Sequence, residues 1–72
     1  MATKEIRSEI TGSVWKILKQ PGDTVGEEDA LMILESMKME IPVTAPRSGR
    51  VAEIKVKETD VVKEGQVLVV LE

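Results

Sequence analysis

The stretch Glu35-Ser36-Met37-Lys38-Met39-Glu40-Ile41-Pro42 sets one lysine between two methionines, with a glutamate beyond each. Methionine is a gap-filling core residue, whereas lysine is almost never fully buried. The chain has no histidine and no cysteine. It therefore has no imidazole base, no thiolate nucleophile, no Ser-His-Asp arrangement and none of the usual nitrogen or sulfur metal ligands. Carboxylates and lysines are the only reactive inventory left, which is thin for catalysis. The expectation is a non-catalytic protein without a metal site, in which Lys38 is the residue to explain.

Seventy-two residues make one domain, near the lower limit for an unaided hydrophobic core. Net charge is -3, and Lys and Arg are scattered rather than gathered into the basic stripe of a nucleic-acid binder. No apolar run approaches the roughly 20 residues that span a bilayer, and the N-terminus lacks a signal-peptide core. A cytoplasmic protein with neither a nucleic-acid nor a membrane partner is the simplest expectation. Trp15 is the single aromatic residue, so core volume must come from Val, Ile, Leu and Met. The β-branched share of these favours strands.

Shifting the chain by 37 aligns Gly12–Glu35 with Gly49–Glu72 without a gap, and nine of 24 pairs are identical. They are Gly12/Gly49, Val14/Val51, Ile17/Ile54, Asp23/Asp60, Val25/Val62, Glu27/Glu64, Leu31/Leu68, Leu34/Leu71 and Glu35/Glu72. Paired glycines, aspartates and aliphatics point to two related halves, about 1–37 and 38–72, within a domain spanning 1–72. The repeat also decides an ambiguity. Residues 27–37 look helical on propensity alone, but their partner EGQVLVVLE reads as a strand after a turn. Residues 30–36 are accordingly expected to form a strand.

The other expected strands are 3–8, 14–19, 24–25, 39–44, 50–57, 61–62 and 67–71. Pro42 suggests an edge position or a break in pairing. Gln20-Pro21-Gly22-Asp23 and Ala45-Pro46-Arg47-Ser48-Gly49 read as turn and loop. The expected fold is all-β, a flattened barrel or sandwich of two antiparallel four-stranded sheets related by a pseudo-twofold. Met37-Lys38 then falls at a tight reversal, and the pseudo-twofold places it opposite the paired termini. A two-residue hairpin favours Asn-Gly or a similar pair, because both central residues need φ > 0. Met-Lys fits that poorly, so turn chemistry does not account for the choice. Two readings of the methionines stay open here: recognition residues exposed at the tip, or side chains of which at least one folds back into the core.

The segment from ESMKMEIPVTAPRSGRV, with the lead-in GSVWKILKQPGDTV and the closing EGQVLVVLE, resembles the biotinyl domains of biotin-dependent carboxylases. The resemblance covers nearly the whole chain. It implies the biotinyl/lipoyl-domain fold, with Lys38 as the lysine that forms an amide with biotin. It also implies that Met37 and Met39, and Glu35 before them, are read by a biotin protein ligase. Attack on biotinyl-adenylate requires a neutral amine, and free lysine titrates at about 10.4, so the ligase must assist deprotonation. The implied role is a monomeric carrier, with biotin as covalent cofactor, that moves carboxyl groups between a biotin carboxylase and a carboxyltransferase.

Three departures from the family pattern stand out. Ser36 replaces a common alanine, Thr59 stands where a glycine turn is usual, and Glu28 replaces an expected glycine. The gapless repeat also leaves no room for the protruding thumb of some bacterial carriers, which implies a minimal form, free-standing or excised from a larger enzyme. Lipoyl domains share this fold and modify a lysine in an Asp-Lys-Ala setting. Lipoate on the same Lys38 is therefore the alternative, and an unmodified β interaction module is the third reading.

Overall fold

The computed structural model describes residues 3–72. Eight strands follow in order: β1 (Lys4–Arg7), β2 (Gly12–Ile17), β3 (Thr24–Val25), β4 (Ala30–Ser36), β5 (Met39–Thr44), β6 (Gly49–Ile54), β7 (Val61–Val62) and β8 (Val67–Leu71). They form two antiparallel sheets of four, β1-β8-β6-β3 and β5-β4-β2-β7, packed as a sandwich with long dimension 36 Å. The all-β expectation holds, and residues 30–36 form a strand despite their helical propensity.

The reason is visible in the pairing. Leu31 and Met32 are adjacent and both buried, as are Leu68 and Val69. Strict alternation would send one of each pair to solvent. Against β5 the register moves from Ala30↔Thr44 to Met32↔Val43, and against β1 it moves from Val67↔Arg7 to Val69↔Ile6. Leu31 and Leu68 are thus the unpaired residues of two matching bulges, which turn both neighbours of each pair inward. Propensity is overridden because a strand with this kink buries three large side chains, Leu31, Met32 and Leu34, at once.

The repeat is carried into the hydrogen bonding. The pair Leu34↔Ile41 recurs as Leu71↔Lys4, and Val14↔Leu34 recurs as Val51↔Leu71. Asp23 caps the turn before it by accepting from the Gln20 N–H at 2.8 Å, as Asp60 accepts from the Lys57 N–H at 2.9 Å. This is why the aspartates survive in both halves while neighbouring residues diverge. Pro42 lies on the edge strand β5, where its missing N–H breaks no ladder.

Two strands begin earlier and end sooner than their apolar runs suggest. Gly12 and Gly49 carry no apolar signal yet pair with Val62 and Val25. Beyond Ile54, Val56 is still buried, but the chain has left the ladder for the turn closed by Asp60. The unpaired residue of the β2 bulge is Trp15, which is 48% exposed, so the lone aromatic contributes little to the core.

Thr59 and Glu28 also find their explanation. Thr59 has φ 77 and stands opposite Gly22 in the repeat, whose φ is 97. Glu28 has φ 69 and stands opposite Gly65 at 86. Each half therefore has the same two left-handed positions, and each fills one with glycine and one with a residue that has a Cβ. The β-branched Thr59 is the more strained of the two. Thr59→Gly keeps the Thr59 N–H to Val14 carbonyl bond and is expected to stabilise the fold by about 1 kcal/mol, the left-handed penalty less the extra chain entropy of glycine. A denaturation midpoint that fails to rise would contradict this account of the turn.

Candidate functional site

β4 and β5 are joined by Met37 and Lys38 alone, since Ser36↔Met39 is the last pair of the ladder. The two joining residues have φ 52 and 65. A two-residue hairpin with positive φ at both centres belongs to the type I′ class, whose twist matches that of the flanking strands. Neither residue is Gly, Asn or Asp, so the turn is built from types that disfavour it. Backbone held in sparsely populated regions by its surroundings is characteristic of functional segments.

The surroundings that hold it are specific. The Ser36 hydroxyl donates to the Thr11 carbonyl at 3.0 Å. A Cβ at Gly12 would lie 2.5 Å from the Glu35 carbonyl oxygen and 3.2 Å from the Ser36 Cβ. Glycine is needed at position 12 because the backbone of β2 comes up against the base of the tip. The Thr11 hydroxyl in turn accepts from the Glu64 N–H at 3.2 Å, tying the same corner to the turn before β8. Ser36, a departure from the usual alanine, thus adds a side-chain tether. Composition gave no sign of Thr11, whereas Gly12 was visible as a member of the repeat.

Above this base the tip stands in solvent. Met37 is 89% exposed and Met39 59%, so neither folds back into the core. Lys38 is exposed, and among the described residues it takes part in no ion pair. One pair below the turn, Glu35 on β4 lies directly opposite Glu40 on β5, and both are exposed. Like charges facing each other across strands are unfavourable, so the fold alone gives no reason for this pair. Ser13 and Val61 continue the row across β2 and β7 and bring no basic group. The four residues singled out in the sequence, Glu35, Met37, Lys38 and Met39, are brought together on one hairpin, and Glu40 joins them.

Two surface grooves run where the halves meet. One, about 360 Å³, lies between the edge strands β1 and β5 and is lined by Ile6, Leu34, Ile41 and Val43 among others. The other is lined by repeat-related pairs, Ile17 with Ile54 and Gln20 with Lys57. Neither includes any residue from 35 to 40. Lys38 sits on the turn, outside the lining of both grooves. Among the described residues no cluster could hold a metal ion, and no helix is long and apolar enough to cross a membrane.

A family model described as "Biotin-requiring enzyme", Biotin_lipoyl, matches residues 2–71. The chain belongs to this family. Among similar proteins, the "Biotin/lipoyl attachment protein" of Bacillus subtilis is 49% identical over 63 residues, 88% of this chain and 86% of that protein. The "Biotinylated protein TB7.3 homolog" of Mycobacterium leprae is 41% identical over 68 residues, 94% of this chain and 96% of that protein. In the crystal structure of Kluyveromyces lactis urea carboxylase, a segment superposes with TM-score 0.94 and 36% identity. That match covers all of this chain and 6% of the carboxylase. The family relationship and this superposition agree with the sandwich found here, an all-β biotinyl-type domain.

The close approach at Gly12 yields a test of how the tip is supported. Gly12→Ala must displace the Glu35–Ser36 backbone and is expected to destabilise the protein by about 1–3 kcal/mol, the scale of overpacking at a tight contact. Ser36→Ala removes one hydrogen bond and is expected to lose only about 0.5–1.5 kcal/mol. Urea denaturation of both variants measures the order; a larger loss in Ser36→Ala would refute the role given to Gly12.

Proposed function

We propose that the protein is a biotin carrier in which Lys38 is the attachment point. The observation that carries this reading is an exposed lysine, without an ion-pair partner among the described residues, on a strained two-residue turn outside both grooves. A catalyst would enclose its reacting group, whereas a carrier must present it to other proteins. Family membership and relatives that bear biotin in their names support biotin as the group.

In the attachment step the Lys38 Nζ, deprotonated with the help of the ligase, attacks the carbonyl carbon of a biotinyl-adenylate. A C–N bond forms, the C–O bond to the adenylate phosphate breaks, and AMP departs. The amine loses one proton, and the product is a neutral amide. The chain's own part is to hold the nucleophile clear of the sandwich and to offer flanks that a ligase can read. Met37 and Met39 offer apolar contact on each side, and the Glu35/Glu40 pair offers a negative field that suits a basic partner surface. Once bound, biotin provides a ureido group able to accept and release a carboxyl group.

The domain is proposed to span residues 1–72, to act as a monomer and to move carboxyl groups from a biotin carboxylase site to a carboxyltransferase site. Its rigid fold adds no chemistry of its own. The Bacillus subtilis relative is named for both biotin and lipoyl attachment, and this favours lipoate on Lys38 as the second reading. The type I′ turn would present the same amine to either ligase.

Co-expression with a biotin protein ligase, followed by intact-mass measurement, is expected to show one biotinyl group on the wild type and none on Lys38→Arg. A biotinyl gain that survives Lys38→Arg would sink the assignment. Parallel incubation with lipoate and its ligase separates the second reading from the first. Met37→Leu keeps volume and apolarity and is expected to be modified at a near wild-type rate. Met37→Asp is expected to slow modification on the order of tenfold, the scale of one important interface side chain. Equal rates for the two variants would remove Met37 from ligase recognition.

A further inference from the structure

The chain has no cysteine, tyrosine or histidine, so its four methionines are its thioether targets for mild oxidants. They are not distributed evenly. Met32 is 0% exposed, held in the core of β4 between its pairs Ile17 and Val43. Met37 and Met39, at 89% and 59%, flank Lys38 on the projecting turn, and Met1 lies outside the described residues. A buried thioether and an exposed thioether differ in access, and access governs oxidation by peroxide. The oxidisable sulfur of the described residues that solvent can reach is therefore concentrated on either side of the proposed acceptor amine.

We infer that Met37 and Met39 form an oxidation site whose state controls loading of Lys38. A hydroperoxide delivers one oxygen to the thioether sulfur. The O–O bond breaks, an S–O bond forms, and the second oxygen leaves as water or, from an organic peroxide, as the alcohol. The sulfur gives up two electrons and the peroxide takes them. The product sulfoxide is polar and a strong hydrogen-bond acceptor where an apolar side chain stood. An apolar ligase contact at that position is lost without any change at Lys38 itself. Methionine sulfoxide reductases undo the oxidation with two electrons from a dithiol, which becomes a disulfide while the sulfoxide oxygen leaves as water, and this makes the site a reversible gate on loading. The inference rests on the reading that a ligase recognises the methionines as apolar flanks.

Peroxide treatment of the full chain, removal of the oxidant and peptide mapping test the site independently of any ligase. One added oxygen is expected at Met37 and at Met39, Met37 the faster, while Met32 stays reduced. Oxidation of Met32 as fast as Met37 would overturn the site. The purified oxidised chain is then expected to accept biotin on the order of tenfold more slowly than the untreated chain. Treatment with methionine sulfoxide reductases of both epimer specificities and a dithiol reductant is expected to restore the rate. The Met37→Leu, Met39→Leu double variant is expected to accept biotin at the same rate before and after peroxide.

An oxidised chain loaded as fast as the untreated one overturns the gate and leaves the carrier reading intact. An untreated chain that accepts no biotin overturns both, while the mapped oxidation pattern stands on its own. An unchanged urea midpoint on oxidation is expected, because neither side chain belongs to the core. A lowered midpoint would mean that the effect runs through unfolding, and it too would overturn the gate.

Discussion

The register between β4 and β5 is the constraint on which the site depends. Side chains alternate along a strand, so a slip of one residue would send Leu34 outward and bring Glu35 into the sandwich. It would also move Lys38 off the centre of the turn. The bulge at Leu31 prevents the slip, because only one alignment lets Leu31, Met32 and Leu34 all reach the core. The position of one exposed amine is thus decided several residues away, by the burial of three apolar side chains. Gly12 then holds the base of the tip from the β2 side, through a contact that tolerates no side chain.

Much of this was legible in the amino-acid sequence because the molecule is written twice. Residues 30–36 would have passed for a helix on propensity, and only the partner segment 67–71, rich in valine, exposed them as a strand. Strand ends were harder. Gly12 and Gly49 pair through backbone atoms alone, so no side-chain pattern marks them, and Val56 is buried after its strand has ended. Glu28 and Thr59 could be noticed as replacements for glycine. Their meaning needed backbone angles, since a residue type does not announce the φ it is forced to adopt. The fate of Met37 and Met39 was open for a related reason: methionine suits core and surface alike, and exposure is set by the length of the turn.

Thr11 shows the other limit of sequence reading. It lies between strands, in no motif, and has no equivalent contact suggested by the repeat. Its carbonyl holds Ser36 and its hydroxyl holds the Glu64 amide, so one residue links the tip to the opposite half. Such a link arises from distance in space between segments 25 and 53 positions apart, which periodicity cannot register.

The internal symmetry also separates what the fold requires from what it does not. The four β1–β8 pairs repeat four of the six β4–β5 pairs, with the same bulge, and the Lys4↔Leu71 pair stands where Ile41↔Leu34 stands in the other sheet. No hairpin turn joins β8 to β1, yet the register is the same. Met37 and Lys38 are therefore unnecessary to align the strands they connect. A turn with two strained residues, two exposed thioethers and facing glutamates below it contributes nothing that the sister pair lacks in order to fold. That departure from the molecule's own symmetry falls on the proposed attachment residue Lys38 and its flanks, and folding does not account for it.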